Sequence, residues 1–264
     1  MKKTIYYSDP LQDDFAITNG RIPKKSIDAD YRYTHRSLLW RASSFVLYRL
    51  IVTPLVLLIM KLFFGLKIRN RKALRGLKHG YFLYGNHTNG IADSFMPALL
   101  SFPKKASIVT APDAASIPLL GKVVEMLGAM PLPSDYGGMK HLISAMKSRL
   151  RHQTITIYPE AHLWPFYNGI RPFTDKSFQY PLMMNAPTAG FVITYRQRKL
   201  LRSLPPLITV TVSDVIYPEE VQSRKELRDR IYDFMCRVVR EENSYAYIEY
   251  KLRGEFTDEN SRSM

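Results

Sequence analysis

The stretch that decides the fold is residues 81–93, Tyr-Phe-Leu-Tyr-Gly-Asn-His-Thr-Asn-Gly-Ile-Ala-Asp. Its first four residues form an aromatic and apolar run that is typical of a buried strand. On one helix, His87 and Asp93 would be about 600° apart and would point to different faces. We therefore expect His87 in a turn from strand to helix, where Asn89 and Gly90 tolerate left-handed backbone. Asp93 and Ser94 are then expected to cap the helix that follows.

Short strands and amphipathic helices alternate along the rest of the chain, as in α/β proteins with a mainly parallel sheet. The sequence predicts strands at Ala106–Thr110, Ala129–Leu132, Thr154–Tyr158, Phe191–Tyr195 and Leu207–Val212. It predicts helices at residues 94–102, 117–127, 138–152 and 223–242, the last opened by a capping box of Ser223 and Glu226. The expected fold class is therefore α/β, with a mainly parallel sheet flanked by helices and an N-terminal membrane-associating helical motif.

Composition divides the chain into three regions. Residues 1–35 are a polar N-terminal arm, residues 36–75 a basic apolar segment, and residues 76–264 the α/β domain. The apolar segment has Pro54 near its centre, and its longest uncharged piece, residues 50–60, is shorter than the roughly 20 residues that cross a bilayer. We expect a kinked helix in the headgroup region or a re-entrant hairpin. A buried core helix of a soluble domain is the alternative.

Positive charge is the strongest feature of the composition. The formal charge is +15, and residues 1–75 alone hold 15 Lys and Arg against 5 Asp and Glu. Such a surplus indicates a polyanionic partner, which is nucleic acid, anionic lipid or a phosphorylated substrate. Nucleic acid would account for the charge but not for the apolar segment, and no nucleic-acid-binding motif is recognised. We expect a membrane lipid partner, no nucleic acid, and a peripheral or monotopic protein on the cytoplasmic face of a membrane.

Two classes of site are disfavoured by residue content. Cys236 is the single cysteine, which excludes a disulfide within one chain and a cysteine zinc site. A metal-dependent hydrolase that uses His, Asp and Glu stays a third hypothesis, but no tight ligand cluster is visible, so no metal is expected.

The basic N-terminus lacks a following apolar stretch of about 7–15 residues, so no cleavable signal peptide is expected.

Polar residues follow two of the predicted strands. His87 follows the first, and Glu160 ends the sequence Tyr158-Pro159-Glu160 after another. The carboxyl ends of parallel strands meet at one edge of a sheet, where active sites form. A carboxylate beside a histidine fixes its tautomer and stabilises the imidazolium that forms when it removes a proton. The plain alternative is a turn histidine and a helix-capping aspartate without catalytic roles.

An ordered set of motifs over about residues 78–216 resembles the glycerolipid acyltransferase family, whose best-known members are the 1-acylglycerol-3-phosphate acyltransferases. The motifs are Asn86-His87 with Asp93, Pro118-Leu119-Leu120-Gly121, Gly128-Ala129-Met130-Pro131, Tyr158-Pro159-Glu160 and Ala186-Pro187. Each motif is short, and the specificity lies in their order and spacing.

This resemblance implies an O-acyltransferase. The fatty acyl group would move from a thioester, acyl-CoA or acyl carrier protein, to the hydroxyl of a lysophospholipid or related glycerolipid. His87 would be the general base, Asp93 its orienting carboxylate, and the hydroxyl would attack the thioester directly. Glu160 and Asn86 would help to bind the acceptor. No cofactor is implied, since the acyl donor is a co-substrate. Backbone N–H groups near Gly121 or after His87 are candidates to stabilise the oxyanion.

The sequence departs from the family pattern at three places. Five residues rather than four separate His87 from Asp93. Ala161-His162-Leu163 stands where the family has Gly, then Thr or Ser, then Arg, and residues 131–134 lack a further arginine. The family arginines are expected to bind the acceptor's phosphate, because a guanidinium matches its oxygens. The departures therefore also allow a membrane-binding homologue that is catalytically weak or inactive.

Downstream residues are candidate replacements for these arginines. Arg171 and Lys176 are candidate phosphate ligands, and His162 is a candidate acceptor contact. The alternative is that all three are ordinary loop residues. Nearby aromatic side chains either wall an acyl or headgroup site or pack the loop on the sheet; they are Trp164, Phe166, Tyr167 and Phe173.

Overall fold

A computed structural model describes residues 3–16, 26–35, 37–112, 121–242 and 244–253. The strands are β1 (Lys3–Tyr7), β2 (Lys67–Arg69), β3 (Phe82–Gly85), β4 (Lys105–Thr110), β5 (Ala129–Pro131), β6 (Gln153–Ile157), β7 (Thr188–Arg196), β8 (Leu207–Val212) and β9 (Ile248–Leu252). The α-helices are α1 (Leu38–Phe45), α2 (Thr53–Phe64), α3 (Gly90–Ser101), α4 (Gly121–Met126), α5 (Tyr136–Arg149), α6 (Gln179–Met183) and α7 (Arg224–Glu241).

The central sheet has seven strands in the order β2-β8-β7-β3-β6-β4-β5. Neighbouring strands are parallel except for β7 and β8, which are antiparallel. The predicted α/β fold with a mainly parallel sheet flanked by helices is therefore confirmed. Strand β3 lies at the centre, between β6 and β7, which makes the strands before His87 and Glu160 direct neighbours.

Two apolar cores lie on opposite faces of this sheet. Strand β3 directs Phe82 and Tyr84 into the core that α5 and α7 cover, and it directs Leu83 into the core that α2 and α3 cover. Successive side chains of a strand point to opposite faces, and both faces here are covered. This explains why every residue of β3 is buried and why the strand reads as a continuous apolar run.

The N-terminal arm contributes a strand that the sequence analysis did not predict. Strand β1 pairs in parallel with β9 to form a separate two-stranded sheet. After β1, Asp13 accepts a hydrogen bond from the Trp164 indole through its backbone oxygen, at 2.7 Å, and Phe15 N–H donates to Leu163. The polar arm is thus joined, in its described part, to the loop that follows Glu160. Its polarity gave no sign of this pairing, because the partner strand lies at the other end of the chain.

The helix after His87 begins earlier than predicted. Asn89, rather than Asp93 or Ser94, is the N-cap, and its side-chain oxygen accepts the Ala92 N–H at 3.0 Å. Asp93 therefore lies in the first turn of α3, where its carboxylate faces back toward the preceding turn. Pro97 lies in the interior of this helix.

The basic apolar segment forms one continuous helical run. A π-helical stretch, Val46–Val52, joins α1 to α2 and ends just before Pro54. The wider turn suits a proline, which cannot donate an N–H to the preceding turn. The run from Leu38 to Phe64 has 27 residues and, by length and composition, is long and apolar enough to cross a membrane, although its longest uncharged piece is shorter. A position in the headgroup region stays a prediction. Only 22% of its most apolar 18-residue window is buried, unlike a core helix, and no hairpin interrupts it.

Two further helices begin or end at residues that the sequence predicted. The N-cap half of the predicted capping box of α7 is present: Ser223 Oγ accepts the Glu226 N–H at 3.1 Å, while the Glu226 carboxylate accepts the N–H of Gln222, one residue before the N-cap. The helix predicted over 117–127 is seen as α4, and Gly128 follows it with φ of +110°. Its predicted beginning, with Pro118, Leu119 and Leu120 of the second motif, lies outside the described residues.

Lys105 joins the apolar helix to the sheet and supplies a pH test of this packing. Its ammonium donates to Ser44 Oγ at 2.8 Å and to the Met126 carbonyl at 2.7 Å. Burial lowers the pKa of Lys105 to about 8 from 10.5, and the charge of Arg149 adds to the effect. The unfolded chain therefore keeps this proton to a higher pH than the folded chain does.

We predict that the free energy of unfolding rises between about pH 8 and pH 10.5 relative to a Lys105→Met variant, since the penalty for burying the ammonium disappears there. Denaturation of both proteins at several pH values measures the difference, in which other titrating groups cancel. A difference that is flat, or that falls over this range, would contradict the assignment.

Candidate active site

His87 and Asp93 are in contact at the carboxyl end of β3. His87 Nδ1 lies 2.7 Å from Asp93 Oδ2, and their side chains are 23% and 2% exposed. The extra residue between them is accommodated because α3 begins at Gly90. The first turn of this helix directs the Asp93 carboxylate back toward His87. With an ionised Asp93 as acceptor, the proton is on Nδ1 and the Nε2 lone pair is free to take another.

The carboxylate of Asp93 is almost completely removed from water. Burial raises its pKa, while the hydrogen bond and charge of His87 and the N–H of Asn89 oppose the rise. Asp93 Oδ2 accepts that Asn89 N–H at 2.8 Å as well as the imidazole. Oδ1 is buried without a hydrogen-bond partner in the described part of the chain. His87 is the one basic side chain hydrogen-bonded to Asp93 in that part of the chain.

The turn that carries His87 is hydrogen-bonded to β7 on one side and to the loop after β6 on the other. Asn86 is fully buried, and its amide donates to the Ile193 carbonyl at 3.0 Å and accepts the Ile193 N–H at 2.8 Å. The carbonyl oxygens of His87 and Thr88 accept N–H groups of Trp164 and Phe166. Asn86, predicted to bind substrate, thus continues the pairing of β3 with β7 through its side chain. Its substrate-binding role stays a prediction, with no free amide group in this conformation.

Glu160 and Arg171 form a buried ion pair behind the histidine. Glu160 Oε2 accepts the His87 N–H at 3.1 Å and lies 3.3 Å from Arg171 Nη2, while Oε1 accepts the Arg171 N–H at 3.0 Å. Arg171 is 1% exposed, lies over the Trp164 ring, and also donates to the carbonyl oxygens of His162 and Pro10. Burial raises the pKa of Glu160, and Arg171 and the two N–H donors oppose that rise.

These contacts place both residues beneath the site surface. As positioned here, Arg171 contacts protein groups and not open space that a phosphate could enter. The structure therefore shows Glu160 and Arg171 fixing the backbone of His87, and direct contact with an acceptor stays a prediction. Ala161, where the family pattern has glycine, has φ of +63°, a left-handed conformation that glycine adopts without strain.

The other predicted residues are distributed around this centre. His162 is 32% exposed, and its Nδ1 lies 3.6 Å from Asp14 of the N-terminal arm. Lys176 is exposed at the start of a short 3₁₀ turn (Lys176–Phe178), and within the described ranges no contact joins it to the histidine pair. Trp164 and Phe173 are buried, which favours loop packing over a substrate wall for these two rings.

Sequence reasoning missed the role of Tyr158. Its ring stacks on the His87 imidazole with centroids 4.8 Å apart, and its hydroxyl donates to the Asp93 carbonyl at 2.5 Å. That carbonyl is available because residue i+4 in the helix is Pro97, which has no N–H to donate. The four-residue spacing of Asp93 and Pro97 indicates, from sequence alone, a helix carbonyl without its usual N–H donor. It does not indicate which residue donates in its place. The donor, Tyr158, is the residue directly after the neighbouring strand β6.

Comparison of the sequence with protein families and with curated proteins gives no match. Comparison of the structure does give matches, among them a crystal structure of the 1-acyl-sn-glycerophosphate (LPA) acyltransferase PlsC from Thermotoga maritima. The match has a TM-score of 0.53 and 14% sequence identity, and it covers 80% of this chain and 97% of that chain. This chain therefore shares the α/β fold of that acyltransferase. At such low identity the fold alone is established, and activity must be argued from the residues of the site.

The pairing of Tyr158 with Asp93 predicts an energetic coupling to Pro97. Tyr158→Phe leaves the buried Asp93 carbonyl without a donor, which should lower the free energy of unfolding by about 1–3 kcal/mol. In a Pro97→Ala background the new N–H of residue 97 satisfies that carbonyl, so the same change should cost clearly less. A double-mutant cycle by chemical denaturation measures this coupling. Equal costs in the two backgrounds would show that the carbonyl does not depend on Tyr158.

The burial of Arg171 predicts a large effect of its removal on stability. Arg171→Met leaves Glu160 as an unpaired buried charge and should cost about 3–5 kcal/mol. Arg224→Met is the matched control, since Arg224 pairs with Asp175 at the surface, 2.8 Å away, where about 0–1 kcal/mol is expected. Thermal or chemical denaturation compares them. Similar small losses for both variants would mean that Arg171 is solvated and free to bind ligand.

Proposed function

We propose that the protein is an O-acyltransferase that transfers a fatty acyl group from acyl-CoA or acyl carrier protein to a hydroxyl of a lysophospholipid or related glycerolipid. The observation that carries the proposal is the 2.7 Å contact of His87 Nδ1 with buried Asp93 at the carboxyl edge of the sheet. The fold shared with an LPA acyltransferase and the exposed apolar helix support it. We propose that the enzyme works at the cytoplasmic face of a membrane, without a metal or cofactor.

In the proposed reaction, His87 Nε2 removes the proton from the acceptor hydroxyl as its oxygen attacks the thioester carbonyl. Asp93 stabilises the imidazolium that forms, because its carboxylate is already hydrogen-bonded to Nδ1. The new C–O bond forms and the C–S bond breaks, and the imidazolium returns its proton to the departing thiolate. The products are an ester and a thiol, and no covalent acyl-enzyme is required. Such a base contributes about 10²–10⁴-fold to the rate.

Glu160 and Tyr158 support this chemistry by positioning. The Glu160 carboxylate fixes the His87 N–H, and the Tyr158 ring covers one face of the imidazole. Neither group needs to touch the substrate. The backbone N–H groups of Gly90 and Ile91 in the first turn of α3 are candidates to stabilise an oxyanion, since those of Asn89 and Ala92 already donate to Asp93 and Asn89.

We place the acyl chain between the apolar helix and α3. A small cavity there is lined by Val52 and Val56 on one side and by Ser94, Phe95 and Leu99 on the other. Its volume is about 10 Å³, enough for about one water, so the two helices must separate to admit an acyl chain. Ser94 and Phe95 follow Asp93 directly in the sequence of α3, so the lining of this cavity and the proposed pair share one helix.

The second candidate is a membrane-binding protein of the same fold without catalytic activity. It is favoured by the burial of Arg171, which leaves the expected phosphate ligand enclosed by protein groups. The metal-dependent hydrolase has less support, since no group of three His, Cys, Asp or Glu side chains able to hold a metal occurs in the described part of the chain.

Purified protein in mixed micelles should release thiol from acyl-CoA or acyl carrier protein when a suitable lysolipid is present. His87→Ala should lower the rate by about 10²–10⁴-fold, because the alcohol loses its base. Asp93→Asn should lower it too, since an amide stabilises the imidazolium less. Thiol release and ester formation are followed across a panel of charged and neutral lysolipids.

His141→Ala is the control, because His141 is an exposed histidine on α5, away from the pair. It should retain full activity, and circular dichroism should show that all variants are folded. Full activity in folded His87→Ala would reject the proposed base. Vesicle binding without thiol release from any donor and acceptor would favour the inactive homologue.

A further inference from the structure

The loop between β7 and β8, residues 197–206, exposes apolar side chains that no core accounts for. Leu200 is 82% exposed, Leu201 69% and Leu204 37%. Adjacent large apolar side chains at a loop tip are unusual for a surface that faces only water, and they indicate contact with an apolar phase.

Charge identifies the kind of surface that this loop fits. Lys199 and Arg202 flank the two most exposed leucines and are themselves exposed. Residues 196–206 hold four Lys and Arg and no Asp or Glu. An apolar tip between cations matches the boundary of an anionic bilayer, where phosphates lie above hydrocarbon. A second copy of the same loop would bring like charges together, which disfavours self-association through this surface.

The loop is also joined to the end of the apolar helix. Arg198 donates to the carbonyl of Phe63, the last but one residue of α2, and Arg196 Nη2 donates to the Gly65 carbonyl at 2.9 Å. Leu62 and Phe63 at that end of α2 are 68% and 57% exposed. The exposed apolar surface of the helix is therefore continued by the loop.

The backbone holds the tip in a defined shape. The Leu204 N–H donates to the Leu201 carbonyl at 3.0 Å, and Arg198 Nε donates to the Pro205 carbonyl at 2.6 Å. Leu201 has φ of +53°, a conformation that is unfavourable for a residue with a Cβ. Backbone strain at a surface position with no packing need is a recurrent mark of function.

We propose that the β7–β8 loop is a second membrane contact, in which Leu200 and Leu201 enter the hydrocarbon boundary of an anionic bilayer while Lys199 and Arg202 bind lipid phosphates. The contact is independent of acyl transfer and would exist in a catalytically inactive protein. Strand β7 is parallel to β3, so its carboxyl end lies at the same edge of the sheet as His87. Docking through this loop would bring that edge to the lipid surface.

Tryptophan fluorescence tests insertion directly. Leu200→Trp in the full chain, bound to vesicles of phosphatidylcholine and phosphatidylglycerol, should shift its emission to the blue and be quenched by lipids brominated high on the acyl chain. Lys225→Trp is the matched control, because α7 covers the opposite face of the sheet from α2. It should show neither effect. Signals are taken as differences from the wild-type protein, which has Trp40 and Trp164. Equal blue shifts and equal quenching by brominated lipids for the two new tryptophans in vesicle-bound protein would overturn the proposal.

Paired variants separate the apolar contribution from the charge contribution. Leu200→Ser with Leu201→Ser should weaken binding to neutral and anionic vesicles by on the order of tenfold. Lys199→Ser with Arg202→Ser should weaken binding only to anionic vesicles. All four side chains are exposed, so the fold should persist, as circular dichroism can verify. Unchanged vesicle binding in the leucine variant would overturn the proposal. If that variant instead self-associates less than the wild type while its vesicle binding is unchanged, the loop is a contact between protein copies. Since His87 is intact in these variants, thiol release in detergent micelles should be retained.

Discussion

The site depends on the hydrogen bonds that hold residues 86–89 between β6 and β7. Asn86 continues the ladder toward β7 through its side chain, and Glu160 binds the His87 N–H from the β6 side. The backbone of His87 consequently has little freedom, and its imidazole meets Asp93 in one orientation. Preorganised polar groups of this kind need no rearrangement when charge develops. Asn86 and Glu160, which the sequence motifs predict to bind substrate, here hold the backbone of His87 and so fix the orientation of its imidazole.

Glu160 and Arg171 illustrate the cost of this arrangement. Two opposite charges are removed from water, and a buried pair adds little net stability even when its geometry is good. Their value lies in position, because the same carboxylate that pairs with Arg171 also fixes the backbone N–H of His87. The N-terminal arm completes the enclosure by supplying the Pro10 carbonyl to the guanidinium. The part of the chain most polar in composition thus supports its most enclosed ion pair.

Local patterns predicted much of the fold. Strands β4 to β8 and the cap of α7 follow from periodicity and capping residues. The location of His87 in a turn after a strand followed from the sequence, whereas the direct pairing of β3 with β6 is set by the sheet order and not by spacing along the chain. Long-range pairing was not predictable: β1 with β9, Asn86 with Ile193, and Arg171 with Glu160 and the arm are set by tertiary packing. Asn89, and not Asp93, is the helix cap: its side-chain oxygen accepts the Ala92 N–H, and Asp93 in the first turn is hydrogen-bonded to His87.

The length of β7 has a geometric consequence. Gly85, at the end of β3, pairs with Phe191, and β7 continues to Arg196, about 17 Å further along. The part of β7 and β8 that extends beyond β3 therefore sets the distance between His87 and a surface in contact with the β7–β8 loop. Removing two residues from each strand would preserve which side chains face each core and would shorten that distance by about 7 Å. Strand length, rather than any contact with substrate, would then select how deep in a lipid layer the reacting hydroxyl lies.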